Sequence, residues 1–310
     1  MDVSVVICTY AMDRYADFCD AVESVQEQSY ESVEIIIIVD GNETVAERVR
    51  REFNSPNIEV HNNDQNHGVS YSRTKGAEIA TGEVVAFIDD DAVADPEWIS
   101  KLVRVYKDTD ALAVGGRMTG IWPAGRPAFL PVEFNWLVGV TYPGFASAGE
   151  EVRNTFESNI SFRRDVFLDL GGFDPNLGPT AGTYSHSEGA EIGVRLQHYY
   201  DQGVIYAPDA IVRHKVFAHR IQLVWLLRRA FEQGVSKQQL GDSVNTPSGE
   251  ELGYLSYLFA TRLPQRLRTV VLSPSSAGIL QLLMIVVFTG VVGVGYLFGT
   301  VEQRVSTHRD

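Results

Sequence analysis

Two stretches of this chain are apolar at almost every position, where a half-exposed strand would be apolar at every second one. Residues 34–39 read EIIIIV and end in Asp40-Gly41, and residues 84–88 read VVAFI and run into Asp89-Asp90-Asp91. Such strands need cover on both faces, which is the situation of a parallel sheet. The neighbouring segments supply that cover. Residues 3–9 read as a buried strand and 17–28 as a helix with Phe18, Ala21, Val22 and Val25 on one face. A helix over 44–53, a short strand over 58–61 and a helix over 69–80, ended by Thr81-Gly82, follow. Asp95-Pro96 predicts a further helix with Asp95 as N-cap, and residues 111–114 are strand-like. This alternation is the signature of an α/β fold with a mostly parallel sheet covered by helices. Ligands of such sheets bind beyond the carboxyl ends of the strands. Thr9, Asp40 and Asp89 to Asp91 stand at such ends, so they are expected to converge on one edge.

Beyond residue 119 the periodicity fades. Residues 120–149 are rich in Pro, Gly and aromatics, among them Trp122, Phe129, Phe134, Trp136, Tyr142 and Phe145. They read as a long insertion covering the site. Strand and helix signals resume over 155–162, a helix over 188–202, two short strands around Pro208 over 204–214, and an amphipathic helix over 221–231. Residues 277–298 carry no charge. Roughly 20 such residues span a bilayer core as a helix. Arg262, Arg266 and Arg268 just before them place the preceding domain in the cytoplasm by the positive-inside tendency. Gly295-x-x-x-Gly299 is a spacing that lets two such helices pack closely, which would suit a homodimer. The N-terminus lacks a basic stretch followed by an apolar one, so no signal peptide is expected.

The formal net charge of −14 argues against nucleic acid as a partner, since phosphate backbones need a basic face. It suits a halophilic, high-salt cytoplasm, where surface carboxylates keep a protein soluble. Cys8 and Cys19 have neither metal-ligand spacing nor a disulfide framework.

The chemistry centres on Asp89-Asp90-Asp91. Three carboxylates at the end of an apolar strand repel one another, and burial sharpens the conflict. A cation among them resolves it, as does full solvation of the loop. Along an extended chain Asp89 and Asp91 point the same way. They could share one hard cation, Mg²⁺ or Mn²⁺, that in turn binds diphosphate oxygens.

Thr9, Asp40-Gly41, the run Asn66-x-Gly68-x-Ser70-x-x-Arg73 and the Asp89 run together resemble glycosyltransferase family 2. The resemblance covers roughly residues 1–235 and is most specific in the first 120. It implies a GT-A fold and a nucleotide-sugar donor. By position, Thr9 would contact the nucleoside and Asp40 the uracil or ribose of a UDP-sugar. Arg73 would lie near base or diphosphate, Asp89 and Asp90 on the donor side, and Asp91 on the metal. His214, in Ile211-Val-Arg-His-Lys, ends a strand where related enzymes often place a metal or diphosphate ligand, and His186 is a weaker second. In the acceptor half, NTFESNISF over 154–162, Arg164-Asp165 and Gly171-Gly172-Phe173-Asp174 continue the resemblance. Glu188-Gly189-Ala190-Glu191 departs from it. The family usually has two adjacent acidic residues there, the second commonly assigned as base, and this chain has Gly189. Glu188 or Glu191 is then the expected base.

The implied enzyme is an inverting, metal-dependent transferase. Its catalytic domain is expected over 1–235, with a nucleotide-sugar half over 1–119 and an acceptor half over 120–235. A connector over 236–275 and a single transmembrane helix over 276–300 would follow. A cytoplasmic transferase tied to a membrane works on a lipid-linked glycan. The acidic composition makes it similar to archaeal enzymes that extend dolichol-phosphate-linked glycans for N-glycosylation of surface-layer proteins. Glucuronate is the favoured sugar, with Arg117, Arg126, Arg153 and Arg163 available to hold its carboxylate. A polyprenyl-phosphate sugar synthase and a catalytically silent sugar-binding subunit are the rival readings.

Overall fold

The computed structural model describes residues 1–177, 187–244 and 249–306. Its described part forms two units. One holds Met1–Thr119, the described part of 146–181, and Glu188–Lys215; the other holds Gly120–Phe145 and the described part of 216–310. The boundary expected at residue 235 falls inside a helix, and the aromatic stretch 120–145 belongs with the C-terminal helices.

The first unit begins as the sequence requires. Strands β1 (Val3–Thr9), β2 (Val33–Val39), β3 (Ile58–Asn62) and β4 (Val84–Asp89) alternate with helices α1 (Tyr15–Gln26), α2 (Glu43–Glu52) and α3 (Val69–Ile79). The four strands pair in parallel in the order β3-β2-β1-β4. Ile35, Ile37 and Val39 of β2 enter one core with Phe18, Val22 and Val49, while Ile36 and Ile38 enter a second with Ala77 and Phe87. This two-sided burial is the physical reason β2 carries no polar residue from Ile35 to Val39.

A short β5 (Ala92–Ala94), helix α4 (Trp98–Asp108) and β6 (Ala113–Ile121) follow, then β7 (Glu151–Val152), β8 (Ile160–Arg163), α5 (Arg164–Asp169), α6 (Glu188–Tyr200) and β9 (Val204–Lys215). These later strands make the sheet mixed, because β8 lies antiparallel to both β4 and β6, and β9 antiparallel to β5 and β7. Two local expectations shift. Asp95 does not cap α4, which starts at Trp98; its carboxylate and carbonyl instead close the turn by accepting from Glu97 N and Trp98 N. The strands expected on either side of Pro208 are one strand. Pro208 lies inside it, in the run Val204–Lys215.

The second unit is helical: α7 (Leu223–Val244), α8 (Gly249–Ser256), α9 (Leu263–Leu272) and α10 (Ser276–Ser306), with a 3-10 segment at Val132–Val138. Phe134, Leu137, Leu226, Ile285 and Phe288 share its core. Within it Glu133 is fully buried and accepts from Arg262 Nε at 2.9 Å and from Arg266 Nη2 at 2.9 Å. Burial alone would raise its carboxyl, but the two guanidiniums outweigh that and hold it below the usual carboxylate range. Its contribution to stability is therefore present above the ordinary glutamate range and is lost as pH falls through the lowered value. Glu133→Gln would strand two guanidiniums, and thermal unfolding in detergent should register a loss of about 3 kcal/mol.

Helix α10 is long and apolar enough to cross a membrane. Its Gly295 and Gly299 are filled from within the chain. A Cβ on Gly295 would overlap the Phe231 carbonyl of α7, and one on Gly299 would meet Gln238 Oε1 at 2.9 Å. The spacing read as a homodimer motif thus serves an intramolecular helix pair.

Candidate active site

Thr9, Asp40 and Asp89 lie in or directly after β1, β2 and β4, whose parallel register pairs Thr9 with Val39 and Cys8 with Asp89. Register alone therefore brings residues some 80 positions apart to one edge. Thr9 Oγ1 donates to Asp90 Oδ2 at 3.2 Å.

Asp40 is committed to the loop that follows β3. Its carboxylate accepts from Asn63 Nδ2 at 2.8 Å, His67 N at 3.0 Å and Gly68 N at 2.8 Å. Gly41, at φ 73°, permits this closure, since a Cβ there would overlap the backbone of Gln65 and Asn66. Asp40 thus shapes the Asn63–Gly68 loop and, through it, the start of α3, from which Arg73 projects.

The three aspartates do not act as one group. The chain stops being extended at Asp89 and turns through Asp90 and Asp91, so the expectation that Asp89 and Asp91 point together fails. Asp89 Oδ1 accepts from Arg73 Nη2 at 2.5 Å. Asp90 pairs with Arg14 at 3.2 Å, and Asp91 lies 3.7 Å from the same guanidinium. Burial, with Asp91 and Asp89 adding to it against Arg14, pushes Asp90 up to about 7. A further neighbour of Asp91 is on β9, where His214 Nε2 stands 3.3 Å from Asp91 Oδ1, both side chains being buried. Antiparallel pairing of β5 with β9 sets Ala92 opposite His214 and so fixes this contact.

A buried Asp–His pair next to a second buried carboxylate, Asp90, is a donor set that fits a divalent cation. Among the described residues no group of three His, Cys, Asp or Glu forms a full cage. That suits an ion completed by substrate phosphates and water, which is how Mg²⁺ is usually held. Asp89, turned to Arg73, is not part of this pair, and His186 lies outside the described residues.

Around Arg73 sits a second cluster. Burial disfavours the Arg73 charge, but Asp89, Glu188 and Glu157 outweigh it and hold the guanidinium firmly protonated. Glu188, the first residue of α6, lies 3.7 Å from Arg73 Nη1. Burial and then the neighbouring Glu157 push Glu188 up to about 8. Arg73 Nη1 and Glu188 Oε2 are buried without hydrogen-bond partners. Glu191 is engaged elsewhere. It pairs with Arg195, which also donates to the carbonyls of Leu170 and Gly172 and so pins the turn after α5.

Sequence reasoning missed Glu157. It is partly buried, its Oε1 accepts from Gly189 N at 3.1 Å, and burial raises its pKa against the pull of Arg73. A Cβ on Gly189 would run into that carboxylate. The available signal was the glycine itself: a missing side chain in an acidic motif implies another group in its volume. The four arginines considered for a sugar carboxylate also separate. Arg163 is taken by the Ala111 carbonyl and the Tyr106 ring, Arg126 by Asn135 and Trp122, and Arg153 donates to Asn154. Arg117 keeps a buried Nε without a partner.

Comparison with known proteins identifies the family. Residues 4–171 match the family model described as glycosyl transferase family 2. Over 301 residues the chain is 46% identical to the glucosyl-dolichyl phosphate glucuronosyltransferase of Haloferax volcanii, covering 96% of each chain. It is 25% identical to succinoglycan biosynthesis protein ExoM of Rhizobium meliloti, over 77% of this chain and 75% of the relative. Among solved structures, a mannosyltransferase of Pyrobaculum calidifontis in complex with GDP-Man and Mn²⁺ superposes with a TM-score of 0.60 at 14% identity, over 98% of this chain and 86% of that one. S. aureus TarS gives 0.55 at 17% identity, over 94% and 81%. At these identities the structures speak to the fold alone, which is GT-A, while the family model and the 46% relative fix the family: this chain is a glycosyltransferase of family 2.

Proposed function

We propose that this enzyme transfers a glucuronosyl group from a UDP donor, with inversion, to a sugar already carried on dolichyl phosphate. The observation that carries this reading is 46% identity, sustained over 96% of both chains, to a protein named for that reaction. Net charge −14 accords with a salt-rich cytoplasm. The relative's named acceptor favours extension of a lipid-linked sugar over charging of the bare lipid phosphate.

The residues divide the work as follows. Thr9 and the Asp40-held loop receive the nucleoside. Asp91 and His214 would hold a divalent cation, Mn²⁺ or Mg²⁺, which when bound neutralises charge on the departing diphosphate. Arg73 faces the same region with an unpartnered nitrogen. Glu157 takes the proton from the acceptor hydroxyl as its oxygen bonds to the anomeric carbon. The bond from that carbon to the β-phosphate oxygen breaks, and UDP leaves. Glu188, beside Glu157, tunes it through like charge. Arg117 is the candidate partner for the donor carboxylate, as a bidentate site would require.

The test is nucleotide release from a panel of UDP- and GDP-sugars with a glucosyl-dolichyl phosphate acceptor in high salt. UDP-glucuronate should turn over at least about tenfold faster than UDP-glucose, the margin expected of one charge-assisted contact. Arg117→Met should erase most of that margin by slowing UDP-glucuronate alone. Equal rates in the unaltered enzyme would refute glucuronate as the sugar.

A further inference from the structure

Helix α10 has two unlike faces. Met284, Ile285, Phe288, Gly295 and Gly299 are buried, at spacings that form one stripe along the helix. Leu280, Leu283, Val286, Val294, Leu297 and Val301 are exposed on the other side. The buried stripe is covered from end to end. Phe288 meets Phe134 with ring centroids 5.3 Å apart. Further along, Phe231 of α7 meets Phe298 at 5.5 Å, and Gln238 Nε2 donates to Gln303 Oε1 at 2.9 Å. A Cβ on Gly234 of α7 would overlap the Val292 carbonyl, so the two helices pack at close range.

Helix α7 is a poor companion inside a bilayer. It carries Arg228, Arg229, Glu232 and Lys237, and the Arg228 side chain is 76% exposed. Were α10 to cross, its residues 292–299 would sit in hydrocarbon. Arg228, Arg229 and Glu232, within a turn of the Phe231 and Gly234 contacts, would sit there too. Arg228 and Glu232 pair at 2.8 Å, yet an exposed ion pair and a further guanidinium are still costly at that depth, and the packed backbones leave α7 no room to withdraw. A helix lying flat avoids this. Its exposed stripe would enter the headgroup boundary while α7 stays on the wet side. The flanks agree, because Arg268, Leu267, Val271 and Leu272 of α9 are exposed just before α10. A guanidinium next to an apolar stripe suits an anionic lipid surface.

We infer that α10 lies in the plane of the membrane surface, docking the second unit on anionic lipid through its exposed apolar face, and does not cross the bilayer. This replaces the single span expected from the sequence. It rests on the chain being membrane-associated, not on which sugar it transfers.

The experiment uses the full chain with Cys8→Ala and Cys19→Ala, in sealed vesicles probed with a membrane-impermeant maleimide. Three single reporters are compared: Lys107→Cys in the first unit, Ser275→Cys before α10 and Glu302→Cys near its end. The last two are about 40 Å apart along a helix, more than the roughly 30 Å of a bilayer core. All three are expected to label from the same face. Glu302→Cys shielded until the vesicles are lysed, with the other two labelled, would overturn the proposal in favour of a span. Recovery of the chain as a lipid-free dimer would overturn it in favour of a second copy on the stripe. Leu283→Glu should lower binding to phosphatidylglycerol vesicles by about tenfold, the value of one buried leucine, and unchanged binding would count against the docking face.

Discussion

Asp91→Ala is expected to lower kcat by about 10³-fold, the worth of several kcal/mol of charge stabilisation on a leaving group, while the protein keeps its fold. The second half follows from the crowding of carboxylates. Asp90 is held up at about 7 by burial, with Asp91 and Asp89 adding to it. Removing Asp91 relieves part of that repulsion, and Asp90 keeps both Thr9 and Arg14. The backbone carbonyl of Asp91, which accepts from Lys215 N at 2.8 Å, is untouched. A purely structural aspartate would behave the other way, losing stability and activity together. Two readings accompany the kinetics: Mn²⁺ should raise the unfolding temperature of the wild type, and should fail to raise that of Asp91→Ala. A variant that turns over normally would remove Asp91 from the chemistry. His214→Ala should follow the same pattern with a smaller loss, since it leaves the carboxylate in place.

The sequence made some of this site legible and hid the rest for identifiable reasons. Thr9, Asp40 and Asp89 could be placed together because apolar strands buried on both faces announce a parallel sheet, and a parallel sheet aligns its carboxyl ends. The partners of the aspartates could not be read, because they come from elements with little local signal. Arg14 lies on a three-residue 3-10 turn, and His214 meets Asp91 through a three-residue strand. The direction of Asp89 was misread because the strand ends at that residue and the period-two rule ends with it. Asp40 looked like a free ligand, but no pattern in sequence shows that three donors of a distant loop already occupy it. Glu191 looked like a base because it is acidic and close to a glycine in the expected motif. Only the fold shows that Arg195 holds it to the turn after α5. In the second unit the uncharged run 277–298 and the close-packing spacing of Gly295 and Gly299 were legible, while the partner, α7 at Phe231 and Gly234, was not, since the spacing does not say which helix comes close.

Glu157→Gln should lower kcat on the order of 10³-fold with little change in KM for the donor, within the 10²–10⁴ that general-base catalysis supplies. The inventory of carboxylates leads to this residue. Asp40 is bound by three loop donors, Asp89 by Arg73, Asp90 by Thr9 and Arg14, Asp91 by His214, and Glu191 by Arg195. Glu188 is more deeply buried than Glu157 and faces Arg73. Glu157 has a backbone N–H on Oε1 and remains partly exposed. Gly189 supplies the decisive control, because a carboxylate carried there would enter the volume that Glu157 fills. Gly189→Asp alone should therefore be nearly inactive through collision, Glu157→Gly alone inactive for want of a base, and the double variant should recover at least about tenfold over either, a coupling of more than ~1.4 kcal/mol. Additive losses would sink the assignment. The pH dependence gives an independent reading. Glu188 is raised to about 8 and Glu157 is raised beside it, so the two titrate as one system. Turnover needs the base ionised and should rise with pH along a limb far above the ordinary carboxylate range. Glu188→Gln, by removing the like charge, should move that limb to lower pH. Stability runs opposite: the folded pair binds a proton that the unfolded chain has released, so stability from this pair falls as pH climbs from about 4.5 to about 8. An enzyme that gains rate while losing stability over the same interval, with both trends reduced in Glu188→Gln, would show that one buried carboxylate pair governs both.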